Sequence, residues 1–105
     1  MAYLARGIAQ PWELVKALNG LPPWPTEVVT WDYEIGEDWS GDPALFFLIV
    51  IRDEVATREM LPEVTRKITN FVMDRVDPRG RWGLIPYFRF ISHSEYEQPE
   101  NRATH

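Results

Sequence analysis

The chain has 105 residues, 45% hydrophobic and 26% charged, with no cysteine and a net charge of −5, a balance that supports one apolar core and lies far from the signature of disorder. Without cysteine, disulfide-stapled scaffolds, zinc-thiolate centres, thiol nucleophiles and cysteine-held iron-sulfur clusters are excluded. The acidic excess repels phosphate backbones, so nucleic acid is not expected as a partner; it falls wholly in residues 1 to 51, which carry two basic side chains against seven acidic ones.

No basic stretch leading into a long apolar run opens the sequence, and the longest apolar run, residues 44 to 51, is too short to span a bilayer. No membrane and a cytoplasmic location are therefore expected. The first helix is predicted from Pro11, a residue suited to the first helical position, to Asn19, with Gly20 as its stop and Pro22 and Pro23 barring continuation. Leu14, Val15 and Leu18 share one face of it.

Residues 27 to 35 alternate as a half-buried strand, with Val29, Trp31, Tyr33 and Ile35 on one side and Thr30, Asp32 and Glu34 on the other. The loop of residues 36 to 43 follows. Residues 44 to 52 then form a second strand that is apolar at every position as far as Ile51, so both its faces need cover. A second helix is predicted between Thr57 and Val76, with Leu61, Val64, Ile68, Phe71, Val72 and Val76 at helical period and Pro62 in the first turn. A turn over residues 77 to 81 ends it. Residues 82 to 91 read as a third strand, which Pro86 places at an edge or bends.

The expected fold is thus α+β: a single domain over residues 1 to 91, in the order helix, strand, strand, helix, strand, with a polar tail over residues 92 to 105. Its sheet is three-stranded and mixed, with two helices on one face and a right-handed crossover into the third strand. The order 1-2-3 follows if the doubly apolar strand is central, and 2-1-3 is the alternative. Helices on one face leave the other to explain. Either Leu45, Phe47, Ile49 and Ile51 or Ala44, Phe46, Leu48 and Val50 must find shelter elsewhere, and a contiguous apolar patch of that kind marks an interface. The competing expectation is that residues 3 to 9 or the tail fold across it.

Four constellations carry candidate chemistry. Glu34, Asp38 and Asp42, in and beside the 36 to 43 loop, are oxygen donors able to hold Mg²⁺ or Ca²⁺, although Asp, Ser, Gly and Pro also close turns unaided. Of five tryptophans, Trp31 is assigned to the core, while Trp24, between two prolines, and Trp39, at the loop tip, are candidate binding residues. Arg75, Arg79 and Arg81 crowd the end of the second helix, as an anion site or as cations that complement the helix dipole. The two histidines, His93 and His105, lie in the tail, and Ser92-His93-Ser94-Glu95 lacks the held geometry that activates a serine. No Walker A, GxGxxG, GxSxG or HExxH pattern occurs, and no cofactor is expected.

The stretch Glu37-Asp38-Trp39-Ser40-Gly41-Asp42-Pro43-Ala44-Leu45-Phe46-Phe47, continuing through Val50-Ile51-Arg52-Asp53-Glu54, resembles a group of small uncharacterised bacterial α+β proteins. A place in a two-gene pair of the toxin and antitoxin kind is what that resemblance implies. The element order is also similar to the metallochaperone-like domain of cation diffusion facilitators, in topology alone. The expected function is a noncatalytic protein-interaction module that pairs with itself or acts as an acidic, antitoxin-like partner of another protein. Its expected interface comprises Trp24, Trp39, Phe46, Phe47, Leu48 and Ile49. A small metal-dependent enzyme or accessory domain using residues 34 to 42 is the alternative.

Overall fold

The computed structural model describes residues 11 to 98. Helix α1 (Pro11–Asn19) leads into strands β1 (Val28–Glu37) and β2 (Pro43–Ile51), followed by helix α2 (Leu61–Val76), the short helix α3 (Pro78–Trp82), strand β3 (Ile85–Ser92) and the single turn α4 (His93–Tyr96). The sheet order is β1-β2-β3, with β1 antiparallel and β3 parallel to β2. The wholly apolar strand therefore takes the centre, and the 2-1-3 order is excluded. This is one α+β domain with a mixed three-stranded sheet. Among the described residues no helix is long and apolar enough to cross a membrane.

The core forms on the sheet face carrying Leu45, Phe47, Ile49 and Ile51, against Leu14 and Leu18 of α1 and Val64, Ile68, Val72 and Val76 of α2. All of these are at most 4% exposed. Aromatic rings extend the seal: Phe47 stacks on Phe88 at 4.9 Å, and Trp24 lies over Trp31 at 4.6 Å and beside Phe71 at 5.0 Å. A fully buried aliphatic side chain contributes about 1.5–3 kcal/mol relative to exposure, so this face is the main source of the fold's stability.

Several expected boundaries shift, each for a local reason. Val28 pairs with Ile51 and Thr30 with Val50, so Val29 is the extra residue of a bulge. It is 42% exposed, and Val28 takes the inward place that alternation assigned to Val29. Helix α2 begins at Leu61 rather than near Thr57, because Thr57 closes the preceding turn: its Oγ1 accepts from the Met60 amide and its carbonyl from the Leu61 amide. Trp82 belongs to α3 rather than to a strand, and is buried. The kink between α2 and α3 is held by Asp77, at φ 51°, whose carboxylate accepts from the Gly80 amide. Gly83, at φ 67°, then turns the chain into β3.

Of the polar tail, the described residues 92 to 98 include the end of β3 and the turn α4. Ser92 caps α4 by accepting from the Glu95 amide at 3.2 Å, and the Ser94 amide donates to Asp53 Oδ1 at 3.0 Å, tying the turn to the end of β2. The cover proposed from residues 3 to 9 lies outside the described residues, as does His105.

Candidate functional site

The face of the sheet turned away from α1 and α2 is assembled from the other parity of each strand. Reading across the register gives rows Glu34, Phe46, Tyr87; then Asp32, Leu48, Arg89; then Thr30, Val50, Ile91. An apolar stripe on β2 thus runs between an acidic margin on β1 and a margin on β3 that carries Arg89. Phe46, Leu48, Val50, Tyr87, Arg89 and Tyr96 help to line a shallow groove of about 920 Å³ there.

The two ends of the groove differ. At the Val50 end α4 packs against β2 and β3, and Val50 and Ile91 are 0% and 7% exposed. Toward the other end Phe46 and Leu48 remain only partly covered by the described residues, and Asp32, Glu34 and Arg89 are exposed. The Phe46 ring stacks on Tyr87 at 5.4 Å, and Tyr87 supports Trp39 at 5.5 Å. Trp39 is 83% exposed, far more than Trp24. An aromatic step therefore rises from the apolar stripe.

Asp38 holds this step in place. Its Oδ1 accepts from the amides of Ser40 at 2.9 Å and Asp42 at 3.0 Å, while Oδ2 accepts from the Tyr87 hydroxyl at 2.7 Å. Two backbone bonds, from the Asp38 amide to the Asp42 carbonyl and from the Gly41 amide to the Asp38 carbonyl, complete the turn. Gly41 supplies the φ of 85° that this turn requires. The Tyr87 hydroxyl first, then the Asp42 and Ser40 amides, hold the Asp38 carboxyl below its ordinary value. The same bond, with burial and the nearby Asp38 and Asp42 charges, pushes the Tyr87 hydroxyl upward.

This geometry redistributes the residues singled out in the sequence. Among the described residues no group of three or more His, Asp or Glu side chains could hold a metal ion, so Glu34, Asp38 and Asp42 do not form a ligand set. Asp38 instead organises a turn and Glu34 stands on the open face. Of the expected interface residues, Phe47 and Ile49 are sealed beneath the helices at 2% and 0% exposure, because β2's odd parity faces the core. Trp24 is a lid on that core, stacked on Trp31 and tilted against Phe71. Trp39, Phe46 and Leu48 stay on the open side.

Arg75 donates to the Phe71 carbonyl at 3.0 Å and lies 4.3 Å over the Phe71 ring, and Arg81 lies 4.4 Å from the Trp82 ring. Arg75 itself stands in the last turn of α2, where a cation complements the helix dipole. His93, the first residue of α4, pairs at 3.2 Å with Glu97, the residue after its end, while Ser92 caps that turn, so Ser92 and His93 are not arranged as nucleophile and base. Tyr87 and Tyr96 carried no signal in the sequence. The role of Tyr87 depends on strand parity in a segment, Pro86-Tyr87-Phe88-Arg89-Phe90-Ile91, in which both faces carry large side chains, and that of Tyr96 on the turn α4 beyond it. No protein-family model matches the chain, and no similar protein was found among curated proteins or solved structures.

Proposed function

We propose that this chain is a noncatalytic protein-interaction module whose binding surface is the open sheet face. One observation carries the reading: β2 is apolar on both sides, and the described residues seal one side fully while leaving Phe46 and Leu48 partly exposed on the other. The surroundings have the anatomy of an interface, an apolar centre with an exposed aromatic anchor, Trp39, inside a polar rim. The titratable groups beside it support a structural role. Asp38 accepts three hydrogen bonds, which favours its charged form, and Tyr87 commits its proton to one of them.

A photo-crosslinking residue at Leu48 tests this in cells, with the same residue at the exposed Arg66 on α2 as the reference position. Covalent products heavier than the 12.3 kDa chain are expected from position 48 and not from position 66. A face that yields no product would overturn the reading. A second reading, an acidic partner that neutralises a basic protein, is favoured by the Asp32 and Glu34 margin and by the concentration of acidic side chains in residues 1 to 51.

A further inference from the structure

We propose that the occupant of the open face is the open face of a second copy of this chain, related by a two-fold axis that runs parallel to the strands. The inference rests on the interaction-module reading and adds the partner and the geometry. Its basis is the order of chemistry across the sheet. In the central row, Asp32 on β1, Leu48 on β2 and Arg89 on β3 set an acid, an apolar group and a base side by side. Asp32 and Arg89 are exposed, and each is separated from the other by the whole width of β2.

Rotation about an axis along β2 exchanges the two margins while keeping each residue's position along the strand. Strand β1 of one copy then lies over β3 of the other, and β2 over β2. Asp32 faces Arg89 of the second copy, and symmetry supplies the reciprocal pair, as an isologous contact requires. Leu48 meets Leu48, and Phe46 meets Phe46. The other face-to-face two-fold, with its axis across the strands, places β1 over β1 and sets the row of Asp32 and Glu34 against its own image. Like charges placed so oppose association, and Arg89 gains no partner.

Sheet twist is compatible with the first axis. Two twisted sheets pack with strands about 30° apart, which leaves this pairing of margins intact. The face is small. Three strands spaced about 4.8 Å apart give it less area than the roughly 800 Å² per partner of a standard interface, so the expected self-association is weak, on the order of micromolar or above.

The test is sedimentation equilibrium of the full chain from about 10 μM to about 1 mM, a range that brackets such affinities. The expected mass rises toward twice 12.3 kDa. Asp32→Arg and Arg89→Asp are each expected to weaken self-association about tenfold or more by creating like-charge contacts, and the double exchange is expected to restore it. Both sites are exposed, and an unchanged thermal melt of each variant shows that the fold is intact. A chain that stays monomeric at about 1 mM, whether residues 1 to 10 or another protein covers the face, overturns the pairing. So does a double exchange that fails to restore it. If position 48 crosslinks to a different protein while the chain stays monomeric, only the self-pairing falls; if it crosslinks to nothing, the module reading falls with it.

Discussion

The two faces of β2 are built from nearly the same side chains and have different fates. Leu45, Phe47, Ile49 and Ile51 are sealed beneath α1 and α2, whereas Phe46 and Leu48, one residue away in each case, stay partly exposed between an acidic and a basic margin. Hydrophobicity alone does not separate the sets. What separates them is the parity with which the strand meets the helices, so the stabilising face and the candidate binding face of this protein are one strand read in two registers.

That contrast is most strongly tested by truncation. Ile49→Ala is expected to cost about 2–5 kcal/mol, as deletions in a closed core do, while Leu48→Ala in dilute solution is expected to cost less than about 1 kcal/mol because water already reaches the site. Urea unfolding at low protein concentration measures both. Equal losses would show that the second face is also sealed within the chain.

The tryptophans give the next largest difference. Trp24→Ala removes a ring wedged between Trp31 and Phe71 and is expected to cost about 2 kcal/mol, a core aromatic deletion reduced for partial exposure. Trp39→Ala, at a site 83% exposed, is expected to leave stability within about 0.5 kcal/mol. Its loss should instead remove the emission most readily quenched by neutral acrylamide, since Trp39 is the more exposed of the two exposed tryptophans, Trp12 and Trp39, among the described residues. A destabilised Trp39→Ala chain would make that ring part of the monomer's own packing.

A smaller effect concerns the hydrogen bond that supports the open face. The Asp38 carboxyl has a lowered folded value, so its contribution to stability is present above its ordinary value of 3.8 and is lost as pH falls through the folded one. Tyr87 has a raised value, so its contribution is present below 10.0 and is lost as pH rises through the folded one. Tyr87→Phe is expected to abolish the alkaline loss and move the Asp38 midpoint upward, as read by unfolding across pH and by carboxyl titration with NMR. An unchanged Asp38 midpoint would break the link between loop and strand. Least of all should come from Lys67→Met: the Lys67 to Glu27 pair, at 3.0 Å, is partly exposed and is expected to contribute no more than about 0.5 kcal/mol, fading in high salt.

Much of the fold was legible in the sequence because local rules sufficed. Prolines and Gly20 bound α1, the period of Val64, Ile68, Val72 and Val76 marks α2, and the wholly apolar β2 points to the centre of the sheet. The misreadings have non-local causes. An extra residue such as Val29 looks like any other member of an alternating run until its partners on β2 are known. The choice between Phe46 and Phe47 could not be made from a strand with no polar side to orient it. Tyr87 reaches Asp38 across 49 residues of sequence, a distance over which no pattern in either segment reports on the other. The candidate site was therefore half visible: Trp39, Phe46 and Leu48 were named from composition, while Asp32 and Arg89 gained meaning only from cross-strand register and Tyr96 only from the turn that follows β3.

Pro86 has a further consequence for how such a molecule can associate. It deprives the outer strand β3 of one amide, making that border a poor template for another chain to lengthen the sheet sideways. Growth strand by strand, the route to filaments, is hindered on that flank. Contact through the broad surface of the sheet closes on itself, because once two such surfaces meet that face is used on both copies.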